Sequence, residues 1–150
     1  IRSRDEGPCP EVDLAAERRL IDLLAILAEQ GVLSSAHDVS DGGLAVALAE
    51  CAMKGSLGAE IALEEGPRVS SLLFGESTGR AIVTFTPESA AAVEGAAKKA
   101  GVPFRKIGRV GGARLKIAVA GKSVVDEGVA DLASLWKSAF SRAMEAADVL

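Results

Sequence analysis

Apolar positions recur along this chain in blocks set apart by glycine, proline and charge, and their spacing shifts between helical and alternating periods. In "LAAERRLIDLLAILAEQ", Leu14, Ile21, Leu24 and Leu27 fall near helical spacing, with Arg18, Arg19 and Asp22 elsewhere around the wheel. Asp13 is placed to cap this helix and Gly31 to stop it. An extended segment is expected from Val32 to Val39. After Asp41, Gly42 and Gly43 a second helix is predicted from Leu44 to about Lys54. It is apolar almost all round, with only Glu50 and Lys54 charged, so it should be buried.

Further along, "GAEIALE" and "RAIVTFT" read as strands, and residues 67–75, "PRVSSLLFG", as a short helix or turn. Thr86 is expected to cap a helix with Pro87 at its first position and Glu88 in its first turn, ending near Gly101. "FRKIGRV" reads as a strand, and Gly111-Gly112 suits a two-residue hairpin turn into "RLKIAVAG". "SVVDE" is a last short strand. Asp131 is expected to cap a terminal helix with Leu132, Leu135, Trp136, Ala139, Phe140 and Ala143 on one side, a stripe suited to a core or an interface. This order of elements predicts an α+β fold with a ferredoxin-like middle. Residues 1–12 read as a linker or arm, and residues 13–150 as a single domain.

Composition narrows the picture. Hydrophobic residues make up 49% of the 150, aromatics only 3%, and tyrosine is absent, so the core must be aliphatic. The net charge is -4, no Lys/Arg block stands out, and rings for base stacking are scarce, which argues against nucleic acid. Apolar stretches are broken well short of the roughly 18 residues of a membrane span, and "IRSRDEGPCP" does not resemble a signal peptide. Cys9 and Cys51 are the only cysteines, and Cys51 sits in an apolar helical run where a free thiol acts as a small hydrophobe. A reducing, cytoplasmic location is the expectation. The chain starts at Ile1 and has methionine only at Met53 and Met144, so a piece of a longer protein is expected, with an active site that can be split between pieces.

The richest chemistry lies in "SSAHDVSDGGLAVALAE", residues 34–50, which holds the one histidine. Gly42 and Gly43 lack Cβ atoms and can bring backbone close to a ligand. The following helix offers N–H groups and the positive end of its dipole, an anion site most naturally filled by phosphate. Asp38 and Asp41 complicate this, because carboxylates repel phosphate unless Mg²⁺ lies between. Asp41 could cap the helix; Asp38 could hold a sugar hydroxyl, a metal or His37; His37 could donate to a phosphoryl or amide oxygen. The competing account is a structural turn, since Asp-Gly-Gly is a common one. A second cluster, "LLFGESTGR", places Glu76, Ser77 and Arg80 close together, suited either to a phosphate or metal or to a surface turn with an ion pair. No CxxC, HExxH, GxSxG or P-loop pattern occurs, which leaves stand-alone covalent catalysis without a basis.

Taken in order, "AHDVSDGGLAVALAE", "GSLGAEI", "LLFGESTGRAIV" and "IGRVGG", with "PCPEVDLAAERRL" ahead and "LASLWKSAF" behind, resemble the C-terminal part of phosphoribosylformylglycinamidine synthase subunit II in its short-chain form. The likeness covers nearly the whole chain. It implies the C-terminal domain of the aminoimidazole ribonucleotide synthetase-like superfamily, a mixed sheet flanked by helices. It implies an ATP- and Mg²⁺-dependent ligase that converts formylglycinamide ribonucleotide and glutamine-derived ammonia into the amidine, with most ATP-binding residues in an absent N-terminal part. A separate glutaminase subunit and a small accessory subunit are the implied partners. His37, Asp38, Ser40, Asp41, Gly42 and Gly43 match the family's Gly-rich substrate loop, whose backbone is assigned to the ribonucleotide phosphate and whose Asp38 or Asp41 is assigned to ribose, metal or loop order. Glu76, Ser77 and Arg80 match the family string as substrate or metal contacts. Two other readings are kept: a non-catalytic packing domain, whose Gly42 and Gly43 amides would be buried and not open, and a part of another superfamily kinase or synthetase.

Overall fold

A computed structural model describes residues 12–66 and 68–147. The arm expected over residues 1–12, with Cys9, lies outside the described residues except for Val12. The chain divides into two compact units: residues up to Ala36 with Ser77–Phe104, and His37–Glu76 with Arg105 onward.

The first unit holds α1 (Leu14–Glu29), the start of β1 (Ser35–Asp38), β3 (Ala81–Thr84) and α4 (Ala90–Ala100). Asp13 caps α1 as expected: its carboxylate accepts from the Ala15 and Ala16 N–H groups, each at 3.0 Å, a contact worth about 1 kcal/mol. The buried face differs from the expected one. Leu23 and Leu27 are buried, with Leu20 and Leu24 half-buried, while Leu14 and Ile21 are 77% and 60% exposed. At about 100° per residue the first four share one arc, and Leu14 and Ile21 fall on the far side of the wheel. Leu23 and Leu27 pack with Val93 and Ala97 of α4, and Val32, Phe85 and Val102 close around them. Thr86 and Pro87 open a 3₁₀ turn, Pro87–Ser89, that leads into α4, and Gly101 ends α4 at a φ of 65°. β3 pairs with β1 in a two-stranded sheet, where the Ser35 and Thr84 hydroxyls meet at 2.6 Å.

The second unit is built on a four-stranded mixed sheet in the order β4-β2-β5-β6, where β2 is Ala59–Leu63, β4 Gly108–Val110, β5 Arg114–Val119 and β6 Lys122–Gly128. β2 runs parallel to β5 and antiparallel to β4. The α+β class with a mixed sheet stands, and the ferredoxin-like run of elements is shared between two sheets because β3 pairs with β1. Ala59, Ile61 and Leu63 alternate inward with Leu115, Ile117 and Val119, the period of a half-buried strand. α2 (Gly43–Gly55) and α5 (Val129–Ala147) pack together, with α2 also against β5 and α5 against β6. α2 is buried at Ala45, Ala47, Leu48 and Ala52, as its apolar surface requires.

Two expectations are corrected here. Gly111-Gly112 is no hairpin turn, because β2 lies between β4 and β5. The two glycines carry the chain around the start of β2 instead: Gly58 N–H donates to the Gly112 carbonyl and Gly111 N–H to the Gly58 carbonyl, both at 2.8 Å. A Cβ on Gly58 would fall on the Arg114 backbone. The two-residue hairpin is Ala120-Gly121, between β5 and β6, with both φ angles positive at 48° and 77°, as a type I′ turn requires. Asp131 likewise does not cap α5. β6 passes directly into the helix at Val129, which leaves Asp131 in the first turn, where the helix dipole still favours a carboxylate. No helix among the described residues is long and apolar enough to cross a membrane.

Candidate functional site

The stretch from His37 to Gly43 leaves β1 and turns into α2 within the second unit. Val39 is buried while its neighbours Asp38 and Ser40 are exposed, so one apolar side chain anchors a polar loop. His37 ties the loop's start. Its Nδ1 lies 2.6 Å from the Asp38 carbonyl oxygen, which can only accept, so Nδ1 carries the proton. Its Nε2 lies 3.5 Å from the Glu50 carboxylate of α2. Asp38 is exposed, and the Ser40 hydroxyl holds its carboxyl below the usual carboxylate range, helped by the Asp38 backbone N–H and by His37.

At its other end the loop depends on glycine. Gly42 and Gly43 have φ of 77° and 70°, angles that L side chains adopt only with strain. A Cβ on Gly42 would stand 2.5 Å from Val46 Cγ2. One on Gly43 would stand 2.8 Å from the Phe74 Cα and carbonyl carbon. The first residue of α2 therefore rests against the C-terminal end of α3 (Val69–Phe74).

The role given to the loop's backbone changes at this point. The Gly42 N–H donates to Glu76 Oε1 at 2.8 Å, and the Gly43 N–H donates to the Ser40 carbonyl at 3.0 Å. The two amides expected to lie open for phosphate are both engaged, and Gly43 is buried. Asp41 does not cap α2 either: Gly42 occupies the cap position, and Asp41 is exposed. The negative charge at the helix's positive end comes from Glu76, 34 residues away in sequence.

The sequence candidates thus divide. The fold brings Glu76 to Gly42, Asp38 to Ser40 and His37. Ser77 and Arg80 belong to the first unit, where Arg80 Nε donates to the Ser77 carbonyl at 3.3 Å. Glu50 was not among the candidates. The signal available for it was a lone carboxylate in an otherwise apolar helix directly after a histidine-bearing strand. Among the described residues no three His, Cys, Asp or Glu side chains converge as a metal cage.

Comparison with known proteins identifies the family to which the fold belongs. The chain is 41% identical over 139 residues to the phosphoribosylformylglycinamidine synthase subunit PurL of Carboxydothermus hydrogenoformans, covering 92% of this chain and 19% of that protein. It is 46% identical over 117 residues to the PurL of Methylocella silvestris, covering 78% of this chain and 16% of that protein. The chain spans about a fifth of the length of the curated relatives it matches. Among solved structures, Thermotoga maritima PurL complexed with FGAR superposes with a TM-score of 0.74 at 25% identity, over 89% of this chain and 24% of that one. The same protein complexed with ATP gives 0.73 at 27% identity, over 85% and 23%. Residues 2–120 match the family described as AIR synthase related protein, C-terminal domain, and the chain belongs to that family.

Proposed function

We propose that this chain is the C-terminal domain of the cytoplasmic, ATP-dependent ligase that converts formylglycinamide ribonucleotide and ammonia into formylglycinamidine ribonucleotide. In that reading residues 13–150 act as one domain behind the arm at 1–12. Ammonia comes from a glutaminase subunit with a small accessory subunit, and the rest of the ligase is supplied by sequence outside this chain. ATP supplies the phosphoryl group that activates the amide oxygen, which ammonia then displaces as phosphate, with Mg²⁺ neutralising charge. Such chemistry asks the protein for positioning and electrostatics and needs no protein nucleophile. The described residues gather no metal cage, and no metal step is assigned to them.

The domain's own contribution is the loop from His37 to Gly43. One observation carries this reading: Asp38, Ser40 and Asp41 stand exposed on a loop that is pinned at both ends, by Val39 and His37 on one side and by Gly42 and Gly43 on the other. A pinned loop presenting acceptors binds with little ordering cost. Because Glu76 already holds the Gly42 amide, we assign Asp38, Ser40 and Asp41 to the ribose hydroxyls and place the phosphate away from the Gly42 and Gly43 amides.

The test is an amide-resolved NMR titration of the chain with formylglycinamide ribonucleotide and with its dephosphorylated ribonucleoside. Saturable shifts at Asp38 to Asp41 with both ligands support the assignment. Shifts at Gly42 and Gly43 that need the phosphate would restore the phosphate loop. No shift with either ligand, in this chain and in the full-length polypeptide alike, would leave the packing-domain reading. That second reading has its own support: the Gly42 and Gly43 amides are engaged and Gly43 is buried, as it expects, and Leu135, Trp136, Phe140 and Met144 of α5 are all more than half exposed, beside an apolar groove of about 390 Å³ between α2 and α5.

A further inference from the structure

We infer that Glu76 is the positioning residue of the loop, holding it in shape without touching the substrate; the inference rests on the loop's place in the substrate site. α2 has no side-chain cap from its own neighbourhood. Ser40 is turned to Asp38, and Asp41 points to solvent. The cap is supplied in trans by Glu76 Oε1, 2.8 Å from the Gly42 nitrogen.

Three features make this contact specific. Gly43 lets the start of α2 come within contact of the Phe74 and Gly75 backbone, which sets the following residue, Glu76, beside Gly42. Gly42 adopts a φ of 77° that admits the N–H to Glu76 while Val46 fills the space a Cβ would need. The carboxylate sits where the α2 dipole favours negative charge. With the start of the loop anchored by the buried Val39 and by His37 Nδ1–H on the Asp38 carbonyl, both ends are held, and the segment from Asp38 to Asp41 is fixed between them. Loss of the Glu76 contact releases one end. The segment then pays its ordering entropy on each binding event, which raises KM and leaves the chemical step alone.

The deciding variants separate reach from charge. Glu76→Gln keeps an acceptor oxygen at the same reach without the charge. Glu76→Asp keeps the charge and falls short by one methylene. In the full-length enzyme, Glu76→Asp and Glu76→Ala should raise the KM for the ribonucleotide about five- to tenfold, the scale of a lost helix cap, with kcat within about twofold. Glu76→Gln, which loses only the charge at the helix end, should raise KM by about two- to threefold, less than either other variant, with kcat within about twofold. In NMR spectra of the chain, the Gly42 amide proton should move upfield in Glu76→Asp and Glu76→Ala and hold nearer its place in Glu76→Gln. The opposite order, with Asp tolerated and Gln impaired, would mean that the carboxylate acts on a ligand through its charge, and would overturn the positioning role. A Gly42 amide unmoved in Glu76→Ala would overturn it directly. An amide that moves as expected while KM stays constant would overturn the link to substrate, and the substrate-loop reading with it. Should Glu76→Ala fail to fold, the order of the Asp and Gln variants alone decides.

Discussion

Replacing Gly43 by alanine tests the contact that places the loop. Two costs arise. Alanine at a φ of 70° is strained by about 1–2 kcal/mol. The added methyl also stands 2.8 Å from the Phe74 Cα and carbonyl carbon and 2.9 Å from the Gly75 oxygen. Carbon contacts are comfortable at about 3.5–4.0 Å, so backbone on one side or the other must retreat by more than half an ångström, an overpacking cost of about 1–3 kcal/mol. Gly43→Ala should therefore destabilise the second unit by about 2–5 kcal/mol. Gly112→Ala is the control. It lies in the same unit, at a φ of 73°, with nothing within 4 Å of the added carbon, so only the strain of about 1–2 kcal/mol applies. Urea unfolding followed by far-UV circular dichroism reads the difference. With a slope of about 2 kcal/mol per molar, the midpoint should fall by about 1–2.5 M for Gly43→Ala and by about 0.5–1 M for Gly112→Ala. Equal midpoints for the two variants would refute the close approach of α2 to Phe74 and Gly75, and with it the geometry that brings Glu76 to Gly42.

Other consequences can be checked separately. The Ser40 hydroxyl is the largest influence lowering the Asp38 carboxyl, so Ser40→Ala should raise that carboxyl's midpoint toward the ordinary range in a side-chain NMR titration; an unmoved midpoint would break the pairing. Because the folded value is the depressed one, Asp38's contribution to stability is present above the unfolded pKa and fades as pH falls through the folded pKa. The Ser40→Ala deficit should accordingly show near neutral pH and vanish in acid. Burial raises the Cys51 thiol above its usual range, with Glu50 adding to the effect. In a Cys9→Ser background, iodoacetamide at neutral pH should alkylate folded chain more slowly than urea-unfolded chain, and equal rates would contradict the half-buried placement.

What the sequence discloses and what it hides follow the range of the interactions involved. The Asp13 cap, the Pro87 entry and the Gly101 stop depend on residues within one turn, and all three hold. The Gly111-Gly112 hairpin looked equally local, yet it required β4 and β5 to be neighbours, and a strand from some fifty residues earlier lies between them. The actual hairpin was hidden by Ala120, a residue type that type I′ turns seldom use at positive φ. The loop shows the same division more sharply. Its two glycines mark backbone that either takes a positive φ or passes close to something, and here both hold. Sequence could not say whether that something is a ligand or another stretch of chain. At Gly43 it is the chain itself, Phe74 and Gly75, and at Gly42 the waiting donor is met by Glu76. A glycine pair ahead of a helix is therefore evidence of close approach, and an anion-binding role has to be argued from whether its amides remain unspent. Here the amides are spent, and on the proposed substrate-loop reading the exposed side chains of Asp38, Ser40 and Asp41 carry the contact instead.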